Sequence, residues 1–222
     1  MNRRSLVVAC WLCPIVWACL AFLARETGPV RADDSAKVED GFVSIFNGKD
    51  LAGWEGDKEL WKVQDGMLVG DSAGIPKNQF LATTKRYGDF ELRLQFRLRD
   101  GKGNSGVQFR SQRDTAEGST EVSGYQADIG EGYWGSLYDE HRRNKILVHA
   151  AKESKVALKP ADWNDYVIRA EGDRITLRIN GVTTVDYREE DPAIARSGII
   201  AVQVHSGPPL RIEFRNLRIR EL

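Results

Sequence analysis

From Phe90 to Leu98 the chain alternates apolar and polar residues without a break, which in a strand sends Phe, Leu, Leu, Phe and Leu to one face and Glu, Arg, Gln and Arg to the other. That spacing predicts a long antiparallel strand with one solvated face. The same period of two recurs along most of the chain. Ile175, Leu177 and Ile179 alternate with Thr176 and Arg178, and Asn180-Gly181 then allows the positive φ angles of a two-residue hairpin turn before Val182 to Tyr187. Leu210, Ile212 and Phe214 share one parity while Leu217 and Ile219 share the other, which predicts a bulge near Arg215-Asn216. Single helical turns are expected at 191–195 and 139–145, and no longer helical period is present. Ten or more such strands with no helical layer to cover them predict an all-β domain, a sandwich of two antiparallel sheets in preference to a barrel.

Three of the strands carry unusual polar faces. Gly106, Gln108 and Arg110 alternate with Val107 and Phe109; Gln126 and Asp128 flank Ala127; Gln203 and His205 alternate with Val202 and Val204. An ordinary solvated face resembles Glu91, Arg93, Gln95 and Arg97, whereas these three use glycine, amides, one carboxylate, one imidazole and a single arginine. Neighbouring positions in one sheet would bring them onto a shared open face, where glycine admits a ligand to the backbone. The second of these strands runs into a glycine-punctuated stretch holding Glu131, Trp134, Tyr138, Asp139 and Glu140, which reads as a loop carrying rings and acids over the surface. Hydrogen-bonding side chains beside flat aromatic faces suit a carbohydrate.

The ends and the charge narrow the setting. Asn2-Arg3-Arg4 precedes an apolar run from Leu6 to Ala24, and Val30-Arg31-Ala32 offers small residues for cleavage, a secretory signal pattern over residues 1–32. An uncleaved membrane anchor is the alternative. Residues 33–42 read as a linker and 43–222 as one domain, exported to the periplasm or secreted. All three cysteines, Cys10, Cys13 and Cys19, fall in the signal segment, so neither disulfides nor thiolate metal sites are expected in the domain. That segment also takes four of the 32 basic and one of the 32 acidic residues, leaving 28 against 31. The balance excludes nucleic acid, and any membrane beyond the signal segment, as the main partner.

Several chemistries have no motif here: there is no phosphate-cradling glycine loop before a helix, no His-Glu-x-x-His and no Gly-x-Ser-x-Gly. His141, His149 and His205 are scattered, so a metal would need carboxylate help, as from Asp128 with His205. No cofactor is expected, although a Ca²⁺ or another divalent ion held by oxygen ligands leaves no signature in sequence.

Phe46-Asn47-Gly48-Lys49-Asp50-Leu51-x-Gly-Trp54, Trp61-x-Val63-x-Asp65-Gly66-x-Leu68-x-Gly70 and Asn104-Ser105-Gly106-Val107-x-Phe109-Arg110 occur in order. They are followed by Tyr125-Gln126-x-Asp128, Gly135-x-Leu137-Tyr138-Asp139, Trp163-Asn164, Asn180-Gly181 and Phe214-Arg215-Asn216-Leu217-Arg218-Ile219. Together they resemble the 3-keto-disaccharide hydrolase domain family of exported bacterial proteins, over Val43 to Leu222. The resemblance implies a concanavalin-A-like jelly-roll sandwich and action on glycosides whose sugar is oxidised to a ketone at carbon 3.

Such a substrate needs less machinery than an ordinary glycoside, which uses two carboxylates about the scissile bond. Its carbonyl acidifies the hydrogen at carbon 2 and permits elimination from carbon 1, so one base and one oxyanion stabiliser suffice. The sequence shows no strand with paired acids, and Asp128 is expected to stand alone. Asp128 or His205 is the expected base, Arg110 and Gln126 hold the enolate-like oxygen, and Tyr138 or Glu131 protonates the leaving oxygen. Gln108, Trp134, Asp139 and Gln203 complete the expected substrate contacts. The alternatives are a non-catalytic carbohydrate-binding module using Trp134 and Tyr138 as platforms, and a conventional glucanase with acids such as Asp128 and Glu131.

Overall fold

The computed structural model describes residues 41–116, 119–152 and 158–222. The expected signal segment, its cysteines and nearly all of the linker lie outside the described residues. Within the described residues all regular structure is strand, in two sheets.

One sheet, here the β6 sheet, runs β13 (Val182–Arg188), β12 (Arg174–Ile179), β11 (Asn164–Glu171), β6 (Phe90–Leu98), β15 (Leu210–Glu221), β4 (Met67–Ser72) and β3 (Trp61–Gln64). A short β1 (Val43–Ser44) also pairs with β15. The other, the β8 sheet, runs β10 (Lys145–Val148), β9 (Leu137–Glu140), β8 (Val122–Gly130), β7 (Asn104–Arg113), β14 (Ile199–Val204), β5 (Gln79–Thr83) and β2 (Trp54–Glu55). The strand pairs are antiparallel, including the long ladders of β6 with β11 and β15 and of β7 with β8 and β14.

Alternation decides which residues meet between the sheets. Phe90, Leu92, Leu94, Phe96 and Leu98 of β6 are buried, as are Tyr125, Ala127 and Ile129 of β8. Phe90 meets Phe109 edge-on with ring centroids 6.2 Å apart, and Phe109 stacks on Tyr125 at 5.6 Å. Each fully buried Phe or Leu contributes about 1.5–3 kcal/mol, and these layers fix the depth of the sandwich. They also leave the polar set of β8 on the outside.

The predicted hairpin is present, with Asn180 and Gly181 at φ 49° and 84° and Ile179 paired to Val182. So is the bulge in β15, where the register against β6 shifts between Arg215 and Arg218 and Asn216 takes φ 55°. One expectation fails: 139–145 is not a helical turn. Leu137–Glu140 is strand β9, and the chain reverses through 141–144 into β10. At 191–195 the chain makes only a turn, with the Ile194 amide 3.2 Å from the Asp191 carbonyl.

Candidate functional site

Strands β7, β8 and β14 are neighbours, so the three polar faces do share one surface, the outer face of the β8 sheet. Register places Gln126 opposite both Gln108 of β7 and Tyr138 of β9, and Asp128 opposite Gly106. Tyr138 and Glu140 therefore project on the same side as Gln126 and Asp128. Above them is a cavity of about 600 Å³. Its floor includes Gln126, Asp128, Tyr138 and Glu140, and its rim includes Asn104, Tyr133, Lys145 and His205.

Asp128 is the buried centre of this surface, 5% exposed, with Gln126 Nε2 donating to its Oδ1 at 2.8 Å. Burial pushes its carboxyl up to about 7; the Gln126 hydrogen bond opposes that shift and the nearby Glu140 adds to it. Glu140 is raised as well, mainly by burial, against the pull of His141 and His205. Burial, Glu140 and Asp128 raise the Tyr138 phenol. His141 stands behind Glu140, its Nε2 2.5 Å from Glu121 and 3.3 Å from Glu140 Oε1. At the end of β14, His205 Nδ1 lies 2.6 Å from the Ser206 carbonyl, which leaves Nε2 as its free ring nitrogen. Gln203 is fully buried, and neither polar atom of its amide has a partner among the described residues. No group of three or more His, Cys, Asp or Glu suited to a metal ion occurs among the described residues.

Of the residues expected from sequence, Asp128, Gln126, Tyr138 and His205 line the cavity, and Gln108 lies beneath it, donating to Gln126 Oε1 at 3.1 Å. Five others are not part of its lining, and of these Gln203, expected to touch substrate, is closed off by its complete burial in the sheet. Arg110 sits in a bulge where the β7–β8 register shifts between Phe109 and Gln112, at φ 46°, so the alternation that pointed it outward is broken. Its guanidinium is bound instead to the Gly88 and Gly172 carbonyls and to Asp89, at 3.1, 2.8 and 2.6 Å. Asp139 has the inward parity of β9, is fully buried, and is held by Arg142 and Arg143. Trp134 stacks on Phe96 at 6.2 Å and packs against the core. Glu131 is exposed on the turn after β8 and is not part of the cavity wall.

The expectation that Asp128 stands without a second acid is also corrected, because Glu140 arrives from the neighbouring strand. Sequence reading named Glu140 only as part of a loop and passed over Tyr133, Asn104 and Lys145. Reading Leu137–Glu140 as a strand would have exposed the shared parity of Tyr138 and Glu140; nothing in the sequence singles out Tyr133.

The architecture is that of concanavalin-A-like sandwiches. Carbohydrate-binding module CBM66 of Bacillus subtilis superposes with a TM-score of 0.60 at 17% identity, over 76% of this chain and 96% of that one. A candidate glycosyl hydrolase of Parabacteroides distasonis is 25% identical with a TM-score of 0.61, over 82% of this chain and 99% of that one. Residues 41–220 match the 3-keto-alpha-glucoside-1,2-lyase-like domain, and the chain belongs to that family. It is 30% identical over 88 residues to a 3-keto-disaccharide hydrolase of Bacteroides thetaiotaomicron, a match spanning 35% of this chain and 30% of that protein's length.

Proposed function

We propose that this protein cleaves glycosides carrying a ketone at carbon 3, with Asp128 as the base. Asp128 takes the proton from carbon 2, the bond from carbon 1 to the leaving oxygen breaks, and Glu140 protonates that oxygen. Water then adds at carbon 1 while a proton returns to carbon 2, which completes a net hydrolysis. Lys145 supplies positive charge for the oxygen that becomes enolate-like, a task Arg110 is too far committed to perform. Tyr133, 44% exposed at the rim, offers its ring to a sugar face.

The observation that carries this reading is the pair of buried carboxyls facing one cavity. Burial raises both, Asp128 to about 7 and Glu140 in the same direction, so the pair is suited to sharing and moving a proton across the cavity. The apolar run at Leu6 to Ala24 supports export, to the periplasm or the medium, with 43–222 as the working domain.

The test is to incubate the protein with a plain disaccharide and with its 3-keto counterpart and to measure released sugar. Cleavage of the keto form alone is expected. Equal cleavage of both would assign Asp128 and Glu140 to conventional glycoside hydrolysis. Binding with cleavage of neither would make the domain a carbohydrate-binding module.

A further inference from the structure

Behind Asp128 the β8 sheet contains a line of polar groups that the proposed reaction does not use. Ser111 Oγ lies 2.8 Å from Gln108 Oε1, Gln108 Nε2 lies 3.1 Å from Gln126 Oε1, and Gln126 Nε2 lies 2.8 Å from Asp128 Oδ1. Ser111 and Gln108 are wholly buried and Gln126 is 2% exposed. Glycines make the room. A Cβ on Gly106 would sit 2.6 Å from Gln126 Cγ and Cδ, so the Gln126 side chain crosses the space that Gly106 leaves open. A Cβ on Gly124 would fall 2.3 Å from Ser111 Oγ, at the other end of the line.

Every member between Ser111 and Asp128 both donates and accepts, so the line is complete in either direction. With Asp128 ionised, Ser111 donates to Gln108, Gln108 to Gln126, and Gln126 to the carboxylate. A proton on Asp128 turns its Oδ1 into a donor. Half-turns of the two terminal amides then let Asp128 donate to Gln126, Gln126 to Gln108, and Gln108 to Ser111. The Ser111 hydroxyl is released from Gln108, and the Phe109 carbonyl, 2.9 Å from its Oγ, is in place to accept it. Each member of the line keeps a hydrogen-bond partner in either state, which is the condition for a proton to come and go at low cost in a dry site.

We propose that Ser111, Gln108 and Gln126 form a reversible relay that positions Asp128 and switches hydrogen-bond direction each time Asp128 gains or loses its proton. As positioning residues they would keep one carboxyl competent both to take the carbon 2 proton and to return it. The catalytic half of this statement rests on Asp128 being the base; the reversal itself does not. Other titratable groups line the same cavity or touch Asp128: Glu140, which raises its carboxyl, and Tyr138 from β9, Lys145 from β10, His205 beyond β14, Tyr133 from the turn, and the Tyr166 hydroxyl on its backbone carbonyl at 3.4 Å.

The test follows the side-chain amide resonances of Gln108 and Gln126 by ¹⁵N NMR on the whole protein as pH is varied, with the Asp128 carboxyl followed by ¹³C. All three are expected to titrate with one midpoint, and Asp128→Asn is expected to remove that transition from both glutamines. A transition at Gln126 with Gln108 unmoved would overturn the relay. In turnover on a 3-keto-glucoside, Ser111→Ala should lower kcat by roughly 2- to 10-fold, displace the pH midpoint and leave KM unchanged. An unchanged midpoint would reduce Ser111 to packing and likewise overturn it. Should Asp128→Asn retain full turnover while in the unmutated protein the glutamines titrate with Asp128, the base assignment fails and the relay stands.

Discussion

Glu140 stands directly across the β8–β9 ladder from Gly124, so its carboxyl projects beside a position that has no side chain. The glycine is required twice over: its φ is 148°, and Ser111 Oγ occupies the place a Cβ would take, 2.3 Å away. Gly124→Ala is expected to destabilise the fold by about 1–3 kcal/mol through strain and displacement of Ser111. Urea midpoints for the two proteins measure it.

Asp128 makes the sharpest prediction because its function and its stability effects run in opposite directions. Its folded value of about 7 lies above an ordinary carboxyl, so the folded protein holds the proton more tightly than the unfolded chain. Stability from this group is complete below about pH 4 and is lost as pH rises through about 7. Asp128→Asn should therefore stabilise the protein at pH 8, by on the order of 1–4 kcal/mol, while reducing turnover roughly 10²- to 10⁴-fold. Thermal unfolding and product release, measured on one preparation, test both halves.

In the unmutated protein the base must be ionised, so turnover should rise with pH through about 7, and it should fall again at the higher pH where Glu140 loses the proton it donates. A rate profile whose acid limb lies near pH 4 would show that the working base is an ordinary exposed carboxylate.

Glu189 behaves in the reverse manner. Burial opposes its charge, but hydrogen bonds from Arg143 and from the Tyr125 hydroxyl outweigh that and hold it at about 2. Its contribution is present above the ordinary Glu value of 4.5 and is lost as pH falls through about 2. Glu189→Gln is expected to cost roughly 2–4 kcal/mol at pH 7, and the difference from wild type should close on acidification. Denaturant unfolding at pH 7 and pH 3 checks the trend.

The adjacent aromatics Tyr133 and Trp134 should separate cleanly. Tyr133→Ala removes an exposed ring at the cavity rim and is expected to raise KM roughly 5- to 30-fold with kcat little altered. Trp134→Ala removes a ring stacked on Phe96 and should lower stability by about 2–4 kcal/mol without a specific effect on KM. Steady-state kinetics and unfolding on both variants decide it.

Most of the fold was legible because burial enforces alternation, and a register slip would turn an apolar face to water. Tyr125, Ala127 and Ile129 could only face inward, which sent Gln126 and Asp128 outward, and the parity change in β15 announced its bulge. Arg110 was misplaced because the bulge after Phe109 leaves no parity change among apolar residues to betray it. Asp139 and Glu140 were read as loop because a charged run suggests solvent. In the fold Arg142 and Arg143, three and four residues on, turn back from the following reversal to neutralise Asp139, so the charged run serves a buried carboxylate instead of solvent.

Strand β15, the last of the domain, lies inside the β6 sheet, with β6 along one edge and β4 then β1 along the other. Phe214 and Ile219 are thus laid down among neighbours made more than a hundred residues earlier. Until they arrive, β6 and β4 have no partner between them and the core lacks one of its walls. Folding of this domain must therefore wait until β15 has been made and should proceed in milliseconds to seconds, at the pace of a chain dominated by distant pairings. A ribosome-bound chain lacking residues 210–222 should remain open to protease where the released protein does not.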